Sequence, residues 1–498
     1  MRHPRTILLL VLLLLVTACG ARLTDEQREF ALRGPVTDPA GSAAPDTGAD
    51  GSTPLAVEAE EVREEAADAE VAAPESDASE ARAQGDGPGP TASEAPASND
   101  AGDDADARPT DTRAMPPGGN GGATDIGVSE TEIVLANVSD VSGAVPGLFE
   151  PEQLAAQAYV AYFTASEGTL FGRQLTYLPM DSQLSTGANR AASIEACDRA
   201  FAAVGSMSAF DAGGAPVIDE CGIPDIRTAA TQPPMQRVDN AFPVEVVVPD
   251  RQPLGEYEWV SEQFPSAVQN AAYLYIAGEV TAAATAKVRE ATSRELGWEW
   301  TYVQEIDIAE TDYGGFAREM ANRGVEYVTF QGDGSQAARL AQAMRQQGFE
   351  PAIYHLQSNT YNPTLIERAP EAIEGTYITI STVLVEEADD NEELQRYAQF
   401  LQQVAPGERP TSLGMKSWSA AKLFVELAKE IGPELTREKM LAALAEVDAW
   451  DGGGLHAPTN IGAQEANSCF TIVQVQGGEF TRVYPSQGQD CDGSIARM

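Results

Sequence analysis

Positively charged residues are scarce in this sequence. Its 498 residues include 32 Lys and Arg against 76 Asp and Glu, which gives a formal net charge of −44 at pH 7. Proteins that bind nucleic acid present a basic face to the phosphates, so this composition excludes a nucleic-acid partner. An anionic membrane surface would also repel the chain, so attachment to a membrane would need another means.

Sequence motifs of common enzymes are absent as well. The chain has no GxSxG elbow, no GxxxxGKS/T phosphate loop, no HExxH zinc motif and no GxGxxG dinucleotide loop. The acidic pairs at 386–387 and 389–390 lie in a polar run that is typical of a solvated loop. His355 and His456 have no evident Ser or Cys partner. We therefore expect no catalytic residues, no cofactor and a protein that is not an enzyme.

The N-terminal apolar run is short. Residues 7–16 are uninterrupted apolar residues that follow Arg2 and Arg5, and such a run is typical of a signal peptide rather than of a membrane span. The sequence Val-Thr-Ala-Cys-Gly around Cys19 resembles a bacterial lipobox, although an ordinary signal peptide with an incidental cysteine is the alternative. We expect residues 1–19 to be a lipoprotein signal peptide ending at Cys19. Acyl chains would then hold the protein on the outer face of the cell membrane.

Cysteine is restricted to five residues. With Cys19 expected to carry lipid, four remain, and an even number in an exported protein favours two disulfides. Of the three possible pairings, we favour Cys197–Cys221 and Cys469–Cys491, because each pair is close in sequence. A zinc site is the alternative, but no pair has CxxC spacing and no histidine lies nearby in sequence, so we expect no metal.

Residues 20–125 have the composition of an unfolded chain. They contain 24 Asp and Glu, 7 Arg, no Lys, and Phe30 as the only aromatic residue. Such a stretch cannot bury enough apolar surface to offset the entropy of ordering. We therefore expect a disordered acidic linker between the anchor and a folded region that comprises residues 126–498.

From residue 126 onwards, apolar segments alternate between the periods of strands and helices. Strands are predicted at 133–138, 175–178, 202–204, 223–226, 271–276, 301–306, 327–330 and 352–355, and helices at 151–166, 188–203, 281–296, 313–323, 335–347 and 411–431. This alternation predicts parallel sheets with helices on both faces. Two such blocks predict an α/β protein with two doubly wound lobes.

Small, hydroxyl-rich loops follow three predicted strands of the first block. They are Ser142-Gly143, Gly-Ser-Met-Ser at 205–208 and Thr-Ala-Ala-Thr at 228–231. Ligands of open α/β sheets bind beyond the carboxyl ends of the strands, and backbone N–H groups near helix N-termini suit a carboxylate. The same residues also make ordinary turns and helix caps, so both interpretations stay open.

Several short segments occur in an order typical of a known family. They are 125–133, the loops 204–206 and 229–231, Glu-Gly-Thr-Tyr at 374–377 and Trp-Ser-Ala-Ala at 418–421. Through them, residues 126 to about 485 resemble the Leu/Ile/Val-binding branch of the type 1 periplasmic binding proteins. The resemblance implies two Rossmann-like lobes joined by three crossing segments, with a ligand cleft between them. Lobe 1 would comprise about residues 126–250 and 380–450, and lobe 2 about 251–379 and 451–498.

The resemblance also implies a ligand site and a function. The implied ligand-binding residues are Phe149 (or Leu148), Ser206, Ser208, Ala229, Ala230, Thr231, Thr281, Asp333, Gln357 and Tyr361. The implied protein is an extracytoplasmic, monomeric substrate-binding protein of an ABC importer, which passes an amino acid or similar small polar ligand to permease subunits.

Two departures from the family pattern leave the ligand open. The stretch 278–281 lacks an aromatic residue, and Asp333 stands where an aromatic is common. Asp333 would suit a ligand ammonium group or equally the N-cap of the following helix. A ligand-sensing receptor module of the same fold is the main alternative function. An α/β hydrolase is disfavoured by the missing motifs.

Overall fold

The structure, a computed structural model, describes residues 112–247, 251–276 and 280–497. It does not describe the side chains of residues 280, 281 and 284. The expected signal peptide, Cys19 and most of the expected linker therefore lie outside the described residues. All of the described residues belong to one compact unit of the chain.

A four-stranded parallel sheet forms the first lobe, which we call lobe 1. Its strand order is β2–β1–β3–β4. The strands are β1 (Glu132–Ser139), β2 (Gln174–Asp181), β3 (Ala202–Val204) and β4 (Asp225–Ile226). Parallel neighbours need crossover connections, which are helices α1 (Glu150–Ser166), α2 (Thr186–Arg199) and α3 (Ala215–Cys221). Helix α2 is shorter than the predicted 188–203 because Ala202 and Ala203 pair with β1 as part of β3.

Three later helices complete lobe 1. They are α9 (Glu392–Val404), α10 (Ser412–Ile431) and α11 (Arg437–Ala445). Helix α10 is buried on nearly all sides. Its Trp418 packs edge-on against Tyr159 of α1, with 4.9 Å between ring centroids, and its indole N–H donates to Glu393 of α9. Lobe 1 thus combines two distant parts of the chain around one core.

A seven-stranded sheet forms the second lobe, which we call lobe 2. Its order is β12–β11–β10–β9–β8–β6–β7. Strand β11 pairs antiparallel with both of its neighbours, β10 and β12. The strands are β6 (Ala271–Ile276), β7 (Trp300–Ile306), β8 (Tyr327–Gln331), β9 (Ile353–Leu356), β10 (Tyr377–Ile380), β11 (Thr471–Gln476) and β12 (Glu479–Tyr484). The helices are α4 (Gly255–Gln263), α5 (Val280–Glu295), α6 (Gly314–Arg323), α7 (Gly334–Gln346) and α8 (Pro363–Arg368). The predicted fold class, two doubly wound α/β lobes, is confirmed.

Both expected disulfides are present. Cys197 bonds to Cys221 and joins α2 to the end of α3, and Cys469 bonds to Cys491 near the C-terminus. The C-terminal strand β13 (Ile495–Arg497) pairs antiparallel with β5 (Arg251–Pro253). The last residues of the chain are therefore held against the beginning of the lobe 2 segment.

The predicted linker boundary at residue 125 is wrong, because residues 112–125 already pack on lobe 1. Arg173 donates from Nη1 to Pro433 O at 2.8 Å and from Nη2 to Gly122 O at 2.9 Å, and the same Nη2 also contacts Asn120 O. Asn120 is 2% exposed. The amino-acid composition did not predict that this segment is ordered. The contacts that order it are hydrogen bonds from Arg173 to its backbone carbonyl groups, and not the burial of apolar residues of its own.

Candidate functional site

A cleft of about 310 Å³ lies where the carboxyl ends of the two sheets face each other. Loops after β1, β3 and β4 line one side, and the loops after β7, β8 and β9 together with α5 line the other. The stretches 244–247, 251–253, 379–381 and 466–470, where the chain passes between the lobes, complete the lining. This volume is typical of a pocket for a small molecule.

The lobe 1 wall of the cleft is apolar. Phe149 precedes α1, Met207 follows β3 and Leu413 begins α10, and these three side chains pack together with their neighbours Val145 and Leu148. Phe149 and Leu148, which the family resemblance named as alternatives, both lie in this wall. The wall offers a solute hydrophobic contact rather than charge.

The hydroxyl groups expected to hold a ligand carboxylate face inward instead. Ser206 Oγ accepts from Val138 N at 3.1 Å, and Ser208 Oγ donates to Asp140 Oδ1 at 3.0 Å. Both serines are buried, and neither lines the cleft. Their hydroxyls instead join the loop to the end of strand β1, so the structure does not bring these two predicted ligand-binding residues to the cleft lining.

The loop after β4 does line the cleft, through Ala229, Ala230 and Thr231. Thr231 is already engaged, since its N–H donates to Asp211 Oδ2 at 2.7 Å and its hydroxyl donates to Ser208 O at 2.6 Å. This loop therefore shapes the cleft mainly through its backbone and methyl groups.

Two buried aspartates that sequence reasoning missed hold these loops in place. Asp140, directly after β1, accepts from Ala209 N at 2.7 Å and from Leu184 N at 3.1 Å, and burial raises its pKa. Asp211 faces Arg227, with 3.4 Å between Nη2 and Oδ2. Burial raises the pKa of Asp211 to about 6, although the Arg227 charge opposes this rise. The position of Asp140 immediately after a buried strand is the sequence signal that could have identified it.

The lobe 2 wall carries the polar groups of the cleft. Arg289 of α5 donates to Gln331 Oε1 at 3.2 Å and to Gln357 Oε1 at 3.0 Å. Gln357 in turn donates to Glu256 Oε2 at 3.2 Å. Asp333 also lines the cleft. Sequence reasoning named Gln357 and Asp333 but missed Arg289, which lies in a helix without a recognisable motif.

Asp333 is the N-cap of α7. Its Oδ1 accepts from Ser335 N at 2.7 Å and from Gln336 N at 3.2 Å, and Gln336 Oε1 accepts from Asp333 N in return. This reciprocal arrangement is a capping box. The other carboxylate oxygen, Oδ2, is buried without a hydrogen-bond partner among the described residues. Asp333 thus caps a helix and also keeps one oxygen unpartnered.

Two expected site residues remain, Tyr361 and Thr281. Tyr361 is buried, donates its hydroxyl to Glu386 Oε2 at 2.5 Å and accepts from Val385 N at 2.8 Å, so its role is structural. The structure therefore does not bring this predicted ligand-binding residue to the cleft lining. The side chain of Thr281 lies outside the described residues.

Lys416 and Glu245 form an ion pair where the crossing segments meet lobe 1. Lys416 belongs to α10 and is 3% exposed, whereas Glu245 lies in the first crossing segment and is 27% exposed. Ser381 of the second crossing segment donates to Glu245 Oε2 at 3.1 Å. Burial lowers the pKa of Lys416 to about 7, while the adjacent carboxylate favours its charged form. We call these three residues the hinge cluster.

The buried histidines have no catalytic arrangement. His456 Nε2 lies 2.9 Å from Ser419 Oγ, but both residues are buried away from the cleft, and burial lowers the pKa of His456 to about 3. His355 contacts Tyr327 and Thr379, and burial lowers its pKa to about 4. In the described ranges, no group of three or more His, Cys, Asp or Glu side chains is arranged for a metal ion. None of the described helices has the length and hydrophobicity to cross a membrane.

The part of the chain that forms the cleft is similar to a known protein family. A family model described as periplasmic binding protein matches residues 132–479. None of the curated proteins compared with the chain matches it.

Solved structures share the fold at low sequence identity. A leucine-binding protein from Thermotoga maritima is 15% identical, with a TM-score of 0.59 over 73% of this chain and 99% of that one. A fatty acid ABC transporter substrate-binding protein from Thermomonospora curvata is 18% identical, with a TM-score of 0.63 over 74% of this chain and 94% of that one. A branched-chain amino acid transporter substrate-binding protein from Streptococcus pneumoniae, solved with isoleucine, is 16% identical. Its TM-score is 0.61 over 71% of this chain and 100% of that one.

Proposed function

We propose that this chain, which belongs to the periplasmic binding protein family, captures a small solute between its two lobes and delivers it to the permease of an ABC importer. Family membership rests on the match over residues 132–479. The observation that carries the proposal is the cleft itself, which both lobes and the stretches between them line. In this proposal the protein binds its solute and performs no chemistry on it.

The arrangement of the cleft favours capture by closure of the lobes. The two sheets are separate, and the chain passes between them in three places. A solute that contacts the apolar wall of lobe 1 and the polar wall of lobe 2 at once stabilises the closed state through these differential contacts. Solved structures with this fold include substrate-binding proteins named for leucine, isoleucine and fatty acids, which are the first solutes to try.

A screen of solutes tests the proposal. Amino acids, amides and short carboxylates are added to the full chain, and the melting temperature and the radius of gyration from solution scattering are measured. A bound solute is expected to raise the melting temperature by mass action and to reduce the radius of gyration. A solute that the protein converts into a product, or the failure of every solute to bind, would contradict the proposal.

The proposal includes attachment of the protein to the outer face of the cell membrane through lipid on Cys19. It is supported by the apolar run 7–16 and the small residues before the cysteine. The full chain and Cys19→Ala are expressed and their membrane fractions compared. We expect the parent in the membrane fraction and the variant released, since acyl chains supply the anchoring energy. Equal membrane association of the two forms would remove the anchor from the proposal.

A further inference from the structure

Arg289 enters the cleft from lobe 2, and no carboxylate of the described residues forms an ion pair with it. Its two terminal nitrogens donate to Gln331 and Gln357, whose side-chain oxygens belong to neutral amides. Its Nε is shielded from solvent and has no hydrogen-bond partner of good geometry among the described residues, although the Tyr273 hydroxyl lies close enough to favour its charge. Within the described residues, Arg289 takes part in no ion pair. The guanidinium is therefore oriented by two glutamines, but its charge is not neutralised by direct contact.

Arg289 is partly buried, and a cation withdrawn from water is costly unless something pairs with it. Burial opposes the charge of Arg289, but Tyr257, Tyr273 and the Glu256 carboxylate outweigh it and raise the pKa of the guanidinium. Arg289 is therefore charged at neutral pH. Glu256 itself accepts from Gln357 rather than from Arg289. A planar guanidinium held in this way matches the geometry of a carboxylate.

On the opposite wall, the lysine of the hinge cluster also lines the cleft, but its charge is already paired with Glu245. The hydroxyls of Ser206 and Ser208 face the protein interior, and the Thr231 hydroxyl donates to a backbone carbonyl. The surface that remains is the apolar wall, which includes Phe149 and Met207. The two walls therefore differ, because lobe 2 presents a guanidinium that is in no described ion pair, whereas lobe 1 presents apolar surface and a cation that is already paired.

We propose that the captured solute is a carboxylate with an apolar substituent, that Arg289 binds its carboxylate, and that its apolar part packs on the lobe 1 wall. This inference rests on the proposed function, because it presumes that the cleft binds a solute. It reverses the orientation expected from the family resemblance, in which lobe 1 loops hold the carboxylate. Hydrophobic amino acids and simple fatty acids share this chemistry.

Matched acids and amides test the inference on the full chain. L-Leucine and octanoate are titrated calorimetrically, alongside L-leucinamide and octanamide, which lack the carboxylate. We expect at least one acid to bind, and its amide to bind at least about tenfold more weakly. Arg289→Gln should weaken binding of the acid by about 10- to 100-fold and abolish the preference for acid over amide. Arg289→Lys should have an intermediate effect, since it keeps the charge but loses the planar fork.

Arg294→Gln is the matched control. Arg294 lies on the same helix, is about half exposed and pairs with Glu290, so its substitution should leave binding unchanged. Binding of octanoate without leucine identifies a simple carboxylate as the solute. Binding of leucine without octanoate adds a requirement for the ammonium group, for which Glu256 or Asp333 is available. Either result supports the inference, provided that the acid exceeds its amide.

Three results would overturn the inference. They are equal binding of acid and amide to the parent, full retention of acid binding in Arg289→Gln, and the failure of all four probes to bind. If Arg289→Gln does not fold, the acid–amide comparison in the parent and the Arg289→Lys variant decide instead. Where these probes fail but another solute from the wider screen binds, the proposed function stands and only the solute class assigned here is wrong.

Discussion

Glu152 is a carboxyl group that the folded protein separates from water. It lies in the first turn of α1 and is 3% exposed, and its Oε2 has no hydrogen-bond partner among the described residues. Burial raises its pKa from the ordinary 4.5 to about 8. The native state therefore keeps a proton that the unfolded chain releases above pH 4.5. It follows that this residue makes stability fall as the pH rises from about 4.5 to about 8.

Glu152→Gln removes this titration while keeping the shape of the side chain. We expect the variant to match the parent near pH 4 and to exceed it at pH 8 by about 2–4 kcal/mol in the free energy of unfolding. Urea denaturation at both pH values measures the difference. Glu150→Gln is the control, because Glu150 is exposed in the same turn and should show no such pH dependence. An equal effect of Glu152→Gln at both pH values would contradict the assigned protonation state.

Individual site residues were the hardest feature to predict from sequence. Small hydroxyl-rich loops were correctly placed beside the cleft, yet Ser206 and Ser208 turn inward, because Val138 and Asp140 of the first strand region bind their hydroxyls. Side-chain direction in a loop depends on such tertiary partners, which no local pattern shows. Arg289 was missed for the same reason, since Gln331 and Gln357 lie far from it in sequence.

The disulfide between α2 and α3 stabilises a local part of lobe 1. Cys197 and Cys221 are 24 residues apart, and a loop of this length corresponds to about 3 kcal/mol of stabilisation through the unfolded state. Arg437 holds the same region by donating to the carbonyl oxygens of both cysteines. The helices therefore have a second attachment that does not depend on the redox state.

Replacing Cys197 and Cys221 together by serine should lower stability without preventing folding. We expect a loss of about 3 kcal/mol in the free energy of unfolding by urea, and unchanged binding of solute, because the pair lies outside the cleft. The matched control replaces Cys469 and Cys491, which are 22 residues apart. This second double variant should lose similar stability but also weaken binding, since Cys469 lines the cleft. Equal effects of the two double variants on binding would be inconsistent with this assignment.

Secondary structure was largely predictable because hydrophobic periodicity follows burial within each element. The predicted strand at 271–276 coincides with β6, and the predicted strand at 301–306 begins one residue after the start of β7. Strands β11 and β12 were not predicted. They are a hairpin at Gly477–Gly478 added antiparallel to the edge of an otherwise parallel sheet, so they lie outside the alternation of strands and helices.

The hinge cluster connects lobe 1 with two of the stretches that join it to lobe 2. Removing Lys416 would leave Glu245 without its ion-pair partner, with only the Ser381 hydroxyl in contact. Breaking a buried pair by deleting one partner is usually more destabilising than replacing both. Because Glu245 is partly exposed, the cost at this position should be at the lower end of such values.

Lys416→Met is expected to reduce the free energy of unfolding by about 1–3 kcal/mol. The double variant Lys416→Met, Glu245→Gln should recover much of this loss, because it leaves no unpaired charge. Thermal and urea unfolding of the parent, both single variants and the double variant give the coupling energy between the two residues. If the single losses simply add in the double variant, the two side chains do not stabilise each other.

The packing of residues 112–125 decides where a mechanical load enters the folded unit. The described hydrogen bonds that leave this segment run to lobe 1, for example to Arg173, to the backbone at 171–172 and to the start of α11. A pulling force applied at residue 112 therefore acts on lobe 1. It does not oppose or assist a rotation of lobe 2 relative to lobe 1. For the proposed function, we therefore expect solute affinity to be independent of tension on the N-terminal chain.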